Sequence, residues 1–163
     1  MKLLAVGLIC LLCGCSATKP VSNEVVPVGW FDQEQLKTSA YPAFKARYDT
    51  VQVEQQFVGL IGQVHDSIEA IVFFGTWCGD SKREVPGFLR IVEQANFPRE
   101  RIKFYALDRT KKSPDGLTDQ YGIERVATFI FLKRGIEVGR ITEKPSSTLE
   151  ADMLSILAEA ADK

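Results

Sequence analysis

The chain predicts an α/β fold, a mixed central sheet flanked by helices with a helical extension in front of it, and three observations carry that expectation. Ala70-Ile71-Val72-Phe73-Phe74 is a continuous apolar run of the length expected for a strand buried on both faces. Later runs at residues 102–107, 128–132 and 136–141 are rich in β-branched and aromatic residues. Apolar residues recur at helical spacing between and after them, at Val85, Phe88, Leu89, Ile91 and Val92 and again at Leu149, Met153, Ile156, Leu157 and Ala160. A strand, a helix, a strand, a short helix, a hairpin and a closing helix, in that order, bury their apolar faces as a sheet between helices.

The first fifteen residues differ from the rest. Lys2 supplies a positive start, residues 3–12 are almost unbroken apolar chain, and small residues follow, which is the pattern of an export signal and is too short to span a bilayer. Leu12-Cys13-Gly14-Cys15 resembles the lipobox of bacterial lipoproteins, so residues 1–14 are expected to be removed and Cys15 to carry lipid. An ordinary secretory signal with chance cysteines is the alternative. Ser16 resembles the residue type that permits sorting to the outer membrane, so the expected location is the cell envelope, facing the periplasm, with the outer membrane favoured. Residues 15–29 lack periodicity and read as a lipidated tether that could reach about 45 to 50 Å when extended.

In 163 residues, 45% are apolar and 25% charged, which suits one compact domain plus something short. The formal net charge of -1 supplies no basic field for nucleic acid, and the membrane contact expected here is the lipid at Cys15. Residues 30–67 are expected to form the helical extension: Asp32-Gln33-Glu34-Gln35 has helix-starting spacing, and Val53, Phe57, Leu60, Ile61 and Val64 fall on one helical face. His65 is the single histidine, and with one usable thiol it leaves a closed metal site short of ligands. No cofactor is implied.

A turn containing Gly75 and Cys78 opens the next helix, which carries Pro86 inside it and stops near Phe97-Pro98. A polar connection through Pro114-Asp115-Gly116 leads to Tyr121-Gly122-Ile123, and Arg134-Gly135 joins the hairpin strands. Gly139 interrupts the alternation as at a bulge, and Ser147-Thr148-Leu149-Glu150 has the spacing of a capping box.

Phe73-Phe74-Gly75-Thr76-Trp77-Cys78-Gly79-Asp80-Ser81-Lys82, with Pro86 beyond it, resembles the active-site turn and kinked helix of thioredoxins, and Tyr121-Gly122-Ile123 and the hairpin resemble later landmarks of that family. The resemblance covers residues 68–163 and implies the thioredoxin-like fold. Three positions depart from the family. Ser81 stands where the resolving cysteine would be, Val72 where a buried acid would be, and Ala127, before Thr128, where a cis proline would be. Because a non-proline cis bond costs about 2.5 to 4 kcal/mol, a trans Val126-Ala127 peptide is expected.

If the signal is removed and Cys15 is lipidated, Cys78 is the remaining thiol of the four cysteines. At a helix start, unpaired backbone N–H groups favour its thiolate. Trp77 and Gly79 are expected to shape the turn, the Ser81 hydroxyl to reach the sulfur, Lys82 to add positive charge with Asp80 opposing it, and Ala127 and Thr128 to line the client side. One thiol forms a mixed disulfide that an outside thiol must resolve, so the expected activity is monothiol exchange or isomerisation with client proteins or small thiols, and a Cys78-linked dimer is open to it. The alternative is a redox-inactive binding or scaffold module, since fold alone does not confer function. Arg109, Lys111 and Lys112 read as a solvated basic loop.

Overall fold

The computed structural model describes residues 26–161; the expected signal and the lipidation site Cys15 lie outside them. Five strands form one sheet in the order β1-β3-β2-β4-β5: β1 Gly29–Phe31, β2 Ile68–Phe74, β3 Ile102–Ala106, β4 Thr128–Lys133 and β5 Ile136–Thr142. The β2 and β3 strands run parallel, while β1–β3, β2–β4 and β4–β5 pair antiparallel. The sheet is therefore mixed, as expected. The apolar run of β2 lies at its centre, and Ala70, Val72, Phe73 and Phe74 are fully buried.

Five helices accompany the sheet: α1 Pro42–Thr50, α2 Gln55–Val64, α3 Gly79–Gln94, α4 Leu117–Gln120 and α5 Leu149–Ala161, with a 3-10 turn at Gln33–Lys37. The α3 helix runs through Pro86 without a break and turns Val85, Phe88, Leu89, Ile91 and Val92 inward. These residues share one core with Leu36 and Phe44 from the N-terminal region, with Val58 and Ile61 of α2, and with Leu149, Met153 and Leu157 of α5. The N-terminal helices thus pack against α3 and α5 and do not form a separate unit. A second cluster on the other face of the sheet joins Ile71, Phe73, Tyr105 and Ile130 to Cys78, Ile123 and Val126.

Four local expectations are corrected. The extension is not wholly helical, because Gly29–Phe31 forms the edge strand β1 on β3, held by Trp30 against Tyr105 and Phe31 against Phe74 at 5.1 and 5.3 Å between ring centroids. On α2 the inward residues are Val58 and Ile61, and Leu60 is exposed; the helix begins only at Gln55, so its buried stripe is set by the i, i+3 pair facing its neighbours. The α5 cap is Thr148, one residue later than expected, whose Oγ1 accepts from Ala151 N at 3.2 Å. The fourth, at Val126-Ala127, belongs to the site below.

Turn chemistry matches the sequence elsewhere. Asp32 caps the 3-10 turn by accepting from Glu34 N, and Arg134 and Gly135 have φ of 55° and 78°, the paired positive values of a two-residue hairpin loop. The register shifts between Phe131 and Leu132, opposite the segment containing Gly139. A Cβ at Gly139 would stand 2.7 Å from Ile156 Cγ2, so the bare backbone lets α5 close on the hairpin.

Candidate active site around Cys78

Parallel pairing of β2 and β3 places Phe74 beside Ala106, so the segments that follow them, residues 75–78 and 107–109, leave the sheet at the same edge. Open α/β sheets form sites where parallel strands end in this way. Cys78 is the N-cap of α3, with extended backbone angles of φ -83° and ψ 130°. Its N–H donates to Gly75 O at 3.0 Å and its carbonyl accepts from Lys82 N at 3.1 Å. The side chain therefore sits at the positive end of a sixteen-residue helix.

Cys78 as a whole is 8% exposed, and its Sγ donates to Val126 O at 3.0 Å. The Val126-Ala127 peptide is cis, which overturns the trans expectation. That expectation rested on the preference of an isolated peptide, whereas here the neighbouring groups are held from several sides. Cys78 donates to the carbonyl of that peptide, Glu143 N donates to Ala127 O at 2.7 Å, and Thr128 Oγ1 donates to Arg125 O at 2.8 Å. Ala127 is fully buried and Thr128 nearly so, so the site face of this loop is backbone.

Ser81 is fully buried. The expected bond to the sulfur is not formed: its Oγ accepts from Gly75 N at 3.1 Å, which ties the turn to the first turn of α3. In the same segment Thr76 Oγ1 is buried without a hydrogen-bond partner. Val72, where the family resemblance points to an acid, is fully buried within the apolar core.

Trp77 is fixed from three sides. Its Nε1 donates to Leu107 O at 2.9 Å, its ring fills the space that a Cβ on Gly75 would enter at 2.7 Å, and the Arg109 guanidinium lies 5.0 Å from its ring centroid. Asp80, expected to oppose Lys82, pairs with Arg83, which also pairs with Glu84. Lys82 has no carboxylate within ion-pair distance among the described residues.

Sequence reasoning placed Gly75, Trp77, Cys78, Gly79 and Ser81 in one turn, and the structure adds Val126 and Arg109. The first acts through its carbonyl and leaves no side-chain signal. Arg109 was legible in principle, since it follows the strand that runs parallel to the one ending at the cysteine turn.

A sheet of this order with a cysteine capping the helix after its central strand defines a thioredoxin-like α/β protein, in which the second sulfur is replaced by a buried hydroxyl. The thioredoxin family model matches residues 33–155, and the chain belongs to that family. It is 28% identical over 98 residues to a thioredoxin-like protein of Acanthamoeba polyphaga mimivirus, covering 60% of this chain and 69% of the relative. It is 29% identical over 86 residues to a thioredoxin of Malassezia sympodialis, covering 53% and 78%. Among solved structures, a Pseudomonas aeruginosa protein of unknown function shares the fold with a TM-score of 0.60 at 13% identity, over 81% of this chain and 93% of that one.

Proposed function

We propose that this protein performs monothiol thiol-disulfide exchange or isomerisation through Cys78, tethered in the cell envelope by lipid on Cys15 and facing the periplasm. One observation carries the reading: the Cys78 thiol caps a long helix while Ser81, the position from which a second sulfur would answer it, is sealed under the turn as the acceptor of Gly75 N. The helix terminus favours attack by the sulfur. Resolution then falls to a thiol from outside, either a small molecule or a client protein.

The test is adduct formation with a neutral disulfide, hydroxyethyl disulfide, mapped by mass spectrometry to the Cys78 peptide of the full chain. Native protein is expected to form the adduct faster than the same chain unfolded in urea, and Cys78→Ser to form none at that peptide. A native rate no higher than the unfolded one would sink the reading. It would favour a redox-inactive binding module, which the burial of Cys78 at 8% exposure also suits. The anchor has its own readout: Cys15→Ala is expected to leave the chain unprocessed or to release it from membranes, and a Cys15→Ala chain that is processed and sediments with membranes as before would end the anchor proposal.

A further inference from the structure

The charges around the cysteine turn are unevenly neutralised. On α3, Asp80 and Glu84 are both engaged by Arg83, while Lys82, one turn after Cys78, faces no carboxylate partner among the described residues. Beyond β3, the exposed Arg109 rests on the Trp77 ring and, among the described residues, neither it nor Lys111 has an ion-pair partner. Lys112 is taken by Asp119. The nearest acid in the sequence, Asp108, is turned into its own loop, where Oδ1 accepts from Thr110 N at 2.9 Å and Thr110 Oγ1 at 2.6 Å. Those bonds hold its carboxyl below the usual carboxylate range. Glu124, also without an ion-pair partner among the described residues, belongs to the segment before Val126 and not to the cysteine turn or the 107–112 loop. Cations are thus left without ion-pair partners on both segments that meet at the cysteine turn, and one of them, Arg109, is held over the Trp77 ring.

We infer that Arg109, assisted by Lys82, selects carboxylate-bearing small thiols and disulfides as exchange partners of Cys78. This rests on the exchange reading above and names its substrate class. The tryptophan is itself immobilised by Leu107 O and by contact with Gly75, so the guanidinium is held over the side chain of the residue that precedes the nucleophile. A cation over a ring face keeps its N–H edge available to a planar carboxylate. In the first step the Cys78 sulfur, having released its proton to solvent, bonds to one sulfur of the disulfide. The other sulfur departs with the bonding pair as a thiolate. In the second step a further thiolate of the same class attacks the mixed disulfide and returns Cys78 to its reduced form, so electrons balance within the thiol and disulfide pool.

The experiment compares glutathione disulfide, which carries four carboxylates, with neutral hydroxyethyl disulfide. Rates of adduct formation at the Cys78 peptide are measured on the full chain, native and urea-unfolded; the unfolded chain supplies the intrinsic ratio of the two reagents. The native chain is expected to favour glutathione disulfide about three- to fivefold beyond that ratio, the range of one exposed charge contact. Arg109→Gln should remove most of the preference, slowing the reaction with glutathione disulfide more than that with the neutral reagent. Lys82→Gln should remove a smaller part, and raised salt should erode it in the native chain alone. A native ratio equal to the unfolded one, or a preference indifferent to both variants, overturns the proposal while leaving exchange standing. Native protein that reacts no faster than the unfolded chain with either reagent overturns the exchange reading and this inference together.

Discussion

A Ser81→Cys variant is expected to reduce a protein disulfide at the expense of dithiothreitol several-fold faster than the native chain, whose mixed disulfide must wait for dithiothreitol itself to resolve it. Cys78 is the N-cap of α3 and Ser81 the third residue of that helix. Residues three apart at a helix start are neighbours on its surface, and a small adjustment of the first turn brings their Cβ atoms to the roughly 3.5 to 4.5 Å a disulfide needs. The native chain stops at a mixed disulfide until an outside thiol arrives. In the variant, the thiolate at position 81 attacks Cys78 Sγ, the client leaves reduced, and the two sulfurs are left joined for dithiothreitol to reduce. The exchange of oxygen for sulfur weakens the bond accepted from Gly75 N and should cost about 1 kcal/mol, the scale of one hydrogen bond. Turnover by the native chain equal to the variant's would show that an internal resolving thiol is not what it lacks. A variant that forms the internal disulfide but does not turn over would place the deficit at the client surface.

That expectation uses a turn that was legible residue by residue in the sequence, and the reason is periodicity. The run in β2, the inward stripe of α3 and the hairpin each repeat their signal over several residues, so pattern alone located them. The edge strand β1 offers only Gly29, Trp30 and Phe31, too few for alternation to show; it is held by long-range contacts with Tyr105 and Phe74 that the sequence does not display. On α2 the apolar pattern put Leu60 on the inward face and left Val58 out of it, and packing against α5 and α3 turned Val58 inward and Leu60 to solvent. The cis Val126-Ala127 peptide was invisible for a different reason. Local preference argued against it, and the groups that hold its surroundings come from α3 and from the segment after β5. Ser81 was read as a tuning hydroxyl because its partner is a backbone N–H six residues back, which has no sequence signature.

The largest loss of stability is expected from Phe88→Ala, because this residue joins the helix that carries the site to the sheet beneath it. Phe88 is fully buried, and its ring centroid lies 5.0 Å from Phe129, 6.2 Å from Phe104 and 6.4 Å from Phe131. It therefore touches β3 and β4 from α3, two residues after Pro86, where the helix has lost one backbone donor. Emptying such a position costs about 3 to 5 kcal/mol through lost transfer energy and an incompletely collapsed cavity. For a protein of this size that lowers the melting temperature on the order of 10 °C. Phe88→Leu, which keeps more of the volume, should cost appreciably less. The exposed ion pairs of the same helix make the contrast: Arg83 with Asp80 at 42% and 27% side-chain exposure is worth at most about 1 kcal/mol, so Arg83→Gln should scarcely move the urea midpoint. If Phe88→Ala were to cost less than about 1 kcal/mol, α3 would have to be held by its contacts with α1 and α5 and not by the sheet. If the cost is as large as expected, Cys78 should lose its native adduct rate at urea concentrations where the unaltered chain still reacts, since the helix terminus behind the sulfur exists only while α3 stays docked on those three rings.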